Sequence, residues 1–199
     1  VGISSPRLVP AGAPQTQAWA NDADIAVTIL ASGPDETDWQ WQLSIVDITH
    51  DSVFPACPDI RRQCVALDAP MRLQRDDQPD TALLRLSVTR IDDTCPLRVQ
   101  IPEGATRVFN LMLRGNAEGE LIARPLNGSM WLPVREQWLW FVHLLSGHAH
   151  LQAGDEHTEL DMGSSVWMDA QPGDRARIEG GGELLLVHLP KKPVPGRLG

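Results

Sequence analysis

The sequence predicts an all-β fold of the jelly-roll type, arranged as two small barrels with little helix. Three observations carry this. Apolar and polar residues alternate strictly in several stretches, most clearly Trp39, Trp41, Leu43 and Ile45 against Gln40, Gln42 and Ser44. An extended strand presents successive side chains to opposite faces, so such a stretch is a strand with one apolar side. Turn residues separate these stretches at roughly 8–12 residues, the rhythm of a sandwich or barrel. No segment keeps a helical apolar period for more than a turn or two.

In chain order, residues 1–18 hold Pro6, Pro10 and Pro14 among small residues and read as an irregular, extended lead-in. Ala23 to Leu30 is the first apolar strand, and Ser32 to Asp38 a turn rich in Gly, Pro and Asp. The alternating stretch from Trp39 ends in the polar turn Thr49-His50-Asp51-Ser52 and the pair Val53-Phe54. Pro55 and Pro58 exclude a helix there. Arg62 heads the next strand, with Arg62, Cys64 and Ala66 facing one way and Val65 and Leu67 the other. Met71 to Leu73 is a brief strand, Arg75 to Asp80 a charged loop, and Leu83 to Ile91 one alternating strand. Thr106 to Leu113 follows, ending at Arg114-Gly115-Asn116.

The second half repeats the style with strands at Glu120 to Ala123, Gln137 to Leu145, Ala149 to Leu151, Ser165 to Met168, Arg175 to Ile178 and Glu183 to Leu189. Met130 to Trp140 could begin a short helix after Pro133, but the alternation of Trp138, Trp140 and Val142 favours a strand. The expected division is an N-terminal half, 1–115, and a C-terminal half, 116–199, forming one compact unit with a shared core.

Composition narrows the function classes. The chain has 199 residues, 42% of them hydrophobic and 22% charged, as in ordinary globular domains. A formal net charge of −9 argues against nucleic acid or an anionic membrane as partner, because both require clustered Lys and Arg. No run approaches the length of a membrane span. Cys57, Cys64 and Cys95 are odd in number and lack CxxC spacing, which suits free thiols and a cytoplasmic location.

The run Trp39 to Ile48, followed by Phe54, Pro58 and Ile60-Arg61-Arg62, resembles the HutD/Ves family, in which a W-R-x-S-I-A strand leads to an F-P-G-x-D-R segment. Val108 to Arg114 is similar to that family's D-F-N-x-M-x-R strand. The resemblance covers about residues 7–190 and implies a cupin-like double β-barrel, or bicupin. It also implies a small-ligand-binding or regulatory protein linked to histidine utilisation, with formylated histidine-breakdown products as ligands and no settled catalytic activity. The chain is a divergent member. The family's glycine-rich P-W-K-N-G-G-G segment has no counterpart with triple glycine, although Asp24-Ile25-Ala26 keeps the end of that motif. Asp59 replaces a loop glycine, and Arg61 and Val108 replace aspartates.

Three constellations have chemical potential. Asn110, Met112 and Arg114 share one strand face, opposite Phe109, Leu111 and Leu113. An amide, a thioether and a guanidinium suit a half-polar cavity, since arginine binds carboxylates bidentately and asparagine both donates and accepts. The bland alternative is a surface ion pair for Arg114 and a buried backbone contact for Asn110. Arg62 is the second candidate: a buried guanidinium means either a structural ion pair or an anion site. Alternation points Arg61 the opposite way, so at most one of the two lines a given cavity.

The third is His148-Ala149-His150, with Glu156 and His157 close by. Two imidazoles on one strand face can bind a transition metal. This pair, however, directly follows Leu144 to Gly147, where a hairpin exit is expected, and Val134 to Gln137 upstream offers no histidine.

The expectation is a protein that binds a small polar or anionic metabolite through Arg62, Asn110, Met112 and Arg114, without metal or other cofactor and without turnover. A homodimer stays open. The alternative is a cupin enzyme, either metal-dependent through His148 and His150 or metal-free and isomerase-like.

Overall fold

The computed structural model describes residues 7–11, 14–19, 22–33, 38–76, 78–92, 94–170 and 173–191. Among them there is no helix. The first strands are β1 (Arg7–Pro10), β2 (Gln15–Trp19), β3 (Asp22–Gly33), β4 (Trp41–Ile48), β5 (Ser52–Phe54), β6 (Ile60–Ala66), β7 (Met71–Arg75) and β8 (Gln78–Leu83). They are followed by β9 (Thr89–Asp92), β10 (Leu97–Gln100), β11 (Thr106–Arg114), β12 (Glu120–Leu132), β13 (Trp138–Ala153), β14 (Glu156–Asp161), β15 (Ser165–Asp169) and β16 (Ala176–Pro190).

The chain divides into two compact units, Gly12–Leu121 and Val1–Ala11 with Ile122–Gly199. In the first, a six-stranded sheet runs in the order β2-β3-β4-β11-β6-β9 and a four-stranded sheet in the order β5-β10-β7-β8. One apolar cluster joins them: Val46, Ala66 and Val108 from the larger sheet meet Phe54, Met71, Leu73, Leu97 and Val99 from the smaller. β11 is antiparallel to both neighbours, with Asn110 opposite Ser44 on one side and Cys64 on the other. Its second face is also buried, since Phe109, Leu111 and Leu113 are at most 2% exposed.

In the second unit, β1-β15-β13-β16-β12 form a sheet to which β14 adds through β13. Its core is apolar, built from Val142, Leu144, Leu151, Ile178, Leu184 and Leu186 among others. His188 is held between the rings of Trp138 and Trp140, with centroids at 4.5 and 4.4 Å.

Several local expectations change. The lead-in, expected to be irregular, supplies β1, which pairs with the distant β15, and most of β2, which folds back as a hairpin on β3. Pro10 is tolerated at the end of β1, an edge strand. Leu83 to Ile91 is not one strand: Leu86 takes a left-handed φ of 55°, which ends the extended backbone between β8 and β9. Residues 130–140 form no helix; β12 and β13 flank a link in which Gln137 has φ 64°. Asp59, standing where the family places glycine, has φ 68°, a conformation that aspartate tolerates better than most residues.

The strands expected at Arg175 to Ile178 and Glu183 to Leu189 are one, β16, which runs through the glycines 180–182. β13 and β16 pair along nearly their full length, and the ladder carries a bulge between Leu144 and Ser146. There the two backbones approach closely. A Cβ on Gly182, whose φ is 143°, would lie 1.9 Å from the Ser146 carbonyl oxygen. Replacing Gly182 by alanine is therefore expected to cost upwards of about 3 kcal/mol through steric overlap with backbone. Urea unfolding of the variant checks this; a midpoint equal to wild type would contradict it.

Candidate ligand site

The inner face of the larger sheet in residues 12–121 changes character along its length. Register places Val27, Val46, Val108 and Ala66 in one row, all apolar. The next row is Ile29, Ser44, Asn110, Cys64 and Thr89, and the one after it Gln42, Met112, Arg62 and Ile91. Side chains opposite one another in a ladder share a face. Ser44, Arg62 and Asn110 are only 2%, 1% and 1% exposed. Three strands thus bring a hydroxyl, a guanidinium and a carboxamide together out of water.

Such burial is costly unless each group is satisfied. The Arg62 guanidinium lies 5.1 Å from the centre of the Phe54 ring, a cation–π approach that offsets part of its desolvation. The Asn110 amide nitrogen donates only a long hydrogen bond, 3.5 Å, to the Val108 carbonyl. Its Oδ1 is buried and accepts no hydrogen bond. Chemically, a buried acceptor one row from a guanidinium can accept from a donor while the guanidinium binds an anionic group.

Arg62, Asn110 and Met112 come together on this face. Arg114 does not join them: it is exposed at the end of β11, where Nη1 is 3.2 Å from Asp38 Oδ1 and the guanidinium lies 4.3 Å from the Trp39 ring centre. Arg61 points the other way, as alternation requires, and donates to the Gly115 and Ala117 carbonyls. Gln63 helps fasten the same loop, donating to the Gly119 carbonyl and accepting from the Leu121 N–H, both at 2.9 Å. Ser44 was not singled out by sequence reasoning. The only available signal was its position among the glutamines of the alternating stretch.

A cavity of about 200 Å³ lies in the same unit, lined by Leu73, Thr81, Thr89, Ile91 and Leu97 with Arg75 at its wall. β8 and β9 are the terminal strands of their sheets, so this cavity occupies the gap between two sheet edges. Thr89 and Ile91 are the register partners of Cys64 and Arg62, which puts the cavity beside the buried polar rows.

His148 and His150 lie well within β13 rather than at a hairpin exit, on its exposed side, in an open cleft of about 680 Å³ with Glu159 and Glu179. His148 Nε2 is 2.8 Å from Glu159 Oε2 and Nδ1 is 3.0 Å from Asp161 Oδ1. His150 stacks on His157, with ring centroids 5.4 Å apart. Among the described residues, no group of three or more His, Cys, Asp or Glu side chains is arranged to hold a metal ion. Also among these residues, Cys57, Cys64 and Cys95 form no disulfide.

Hydrogen bonding to Asp161, followed by the bond and charge of Glu159, raises the His148 pKa above 6.5. The folded state then holds the proton more tightly than the unfolded chain. The resulting stabilisation is full below about pH 6.5 and disappears as pH rises through the folded value. Replacing His148 by glutamine is expected to lower the melting temperature under acidic conditions and leave it unchanged under alkaline ones. The pH profile of the two melting curves checks this; a constant offset at all pH values would contradict it.

Comparison with known proteins agrees with this architecture. A protein-family model described as HutD matches residues 12–186. Among solved structures, a conserved protein of unknown function from Pseudomonas aeruginosa PAO1, PA5104, is similar with a TM-score of 0.79 at 17% identity, over 95% of this chain and 100% of that one. HutD from Pseudomonas fluorescens SBW25 is similar with a TM-score of 0.73 at 17% identity, over 94% and 100%. A cupin 2 conserved barrel domain protein from Leptotrichia buccalis is similar with a TM-score of 0.56 at 11% identity, over 91% and 97%. No curated protein matches the chain. The fold is thus all-β and cupin-like, and the chain belongs to the HutD family.

Proposed function

We propose that this chain binds a small carboxylate, such as a histidine-breakdown intermediate, inside residues 12–121 and serves as a HutD-type binding or regulatory protein. The observation that carries the reading is the buried Asn110 carbonyl oxygen that accepts no hydrogen bond, one row along the sheet from the buried Arg62. An evolved core would fill such a position with an apolar residue unless the amide had another use, because a buried polar atom without a partner costs about 1–3 kcal/mol. A carboxylate beside the guanidinium would form charge-assisted bonds, and an N–H or O–H on the same molecule would satisfy Oδ1. Formylglutamate and urocanate both have this combination of groups. Ser44 and Met112 complete the polar and soft lining, and the gap between β8 and β9 is the approach for the ligand. Arg114, held at the surface by Asp38 and Trp39, is left out of the site.

Melting curves test the reading. Formylglutamate or urocanate at 100 times its dissociation constant is expected to stabilise wild type by about 2.7 kcal/mol, roughly 5–10 °C for a chain of this size. Replacing Arg62 by methionine keeps most of the bulk, removes the charge and is expected to abolish that shift. Asn110→Leu is expected to abolish it too while making the ligand-free protein about 1–3 kcal/mol more stable, since it removes the buried acceptor. A wild type that responds to neither compound, beside an Asn110→Leu variant that is destabilised, would sink the proposal.

A further inference from the structure

The second unit has an aromatic side chain that its own packing does not use. Trp131, on β12 at the edge of its sheet, is 61% exposed. A single exposed ring is ordinary on a protein surface, but one that borders a cleft gives that cleft an apolar platform with an N–H at its rim. The cleft beside it has a volume of about 480 Å³ and is lined also by Gln152, Asp155, Asp174, Arg175 and Arg177. That size falls within the range of small-molecule sites, roughly 300–1,000 Å³.

The charges beside the ring cancel: two carboxylates, Asp155 and Asp174, face two guanidiniums, Arg175 and Arg177. Arg177 also bonds Glu179 at 2.7 Å, but Glu179 lines the adjoining cleft and not this one. A cleft with no net charge offers little to a free cation or anion. It does offer acceptors, donors and an amide that bind hydroxyl groups, each of which donates once and accepts twice. A ring with an apolar face and a polar rim matches an indole surrounded by such groups. Arg177 also lines the neighbouring cleft of His148, His150 and Glu159, so the two clefts adjoin along the outer face of β16 and β13. Two adjoining clefts offer room for more than one sugar unit. Strands rather than loops hold Trp131, Gln152 and Arg177, which keeps their spacing fixed.

We infer that the outer face of this unit binds a neutral oligosaccharide, with Trp131 as the platform on which one sugar ring stacks. Isothermal titration of wild type with maltotriose, cellotriose and chitotriose, each at millimolar concentration, tests it. At least one trisaccharide is expected to bind, with affinity falling at least roughly tenfold in Trp131→Ala and largely kept in Trp131→Phe. Circular dichroism of the alanine variant, expected to match wild type, confirms that the fold survives. The inference is overturned if none of the three trisaccharides binds, or if binding is unchanged in Trp131→Ala. It is equally overturned if sedimentation shows a wild-type dimer that Trp131→Ala converts to monomer, because the ring would then be covered by a second copy of the chain.

Discussion

β11 keeps a fixed register between β4 and β6, and the chemistry of residues 12–121 depends on it. Side chains on a strand alternate, so a slip of one residue would exchange the two faces completely. Phe109, Leu111 and Leu113 would then replace Val108, Asn110 and Met112 on the inner face. The existing register is held by burial on both sides of the strand and by the fastening of its ends. Thr106 accepts from the Ala69 N–H at 3.0 Å and donates to the Ala69 carbonyl at 2.8 Å. Arg107 grips Asp68 with two guanidinium hydrogen bonds, at 2.9 and 2.8 Å. At the other end Arg61 and Gln63 tie down the loop that follows. Polar side chains are thereby held in the interior against their preference for water.

The two units use the same type of fold in different ways. In residues 122–191 the core cluster is apolar, His188 is buried in its stack with Trp138 and Trp140, and the open polar clefts lie on the outer face. In residues 12–121 the inner face passes from valines to Ser44, Asn110 and Arg62 within two rows. Stability alone favours the first arrangement. The second gives up stability to keep polar groups in the interior, a trade commonly found at functional sites.

Much of this was legible in the chain. The faces of β4, β6 and β11 follow from alternation, which depends only on backbone geometry, and so did the opposite directions of Arg61 and Arg62. Ser44 was hidden because a serine among glutamines reads as a solvent-facing position; only its pairing with Asn110 puts it inside. Arg114 shares the parity of Asn110, yet strand parity says nothing about depth, and the end of β11 lies at the surface. β1 was obscured because its partner, β15, is distant in sequence, and β2 because its residues Gln15 to Trp19 are mostly polar and carry little apolar pattern, although β3 follows directly as its hairpin partner. The glycine run in β16 interrupts the apolar pattern of the chain, whereas Gly180 and Gly182 mark the place where two backbones come too close for a Cβ. Trp131 has no local feature in the sequence that marks it as an exposed ring.

The most direct measurement is an isotope-edited NMR titration with formylglutamate and with urocanate, observing the Arg62 guanidinium and the Asn110 carboxamide in the same samples. If the buried rows are the binding site, both groups shift together and saturate at one ligand concentration, while Arg114 at the surface stays in place. If neither buried group moves, or only surface arginines respond, the polar interior is scaffold and the ligand-binding reading is contradicted.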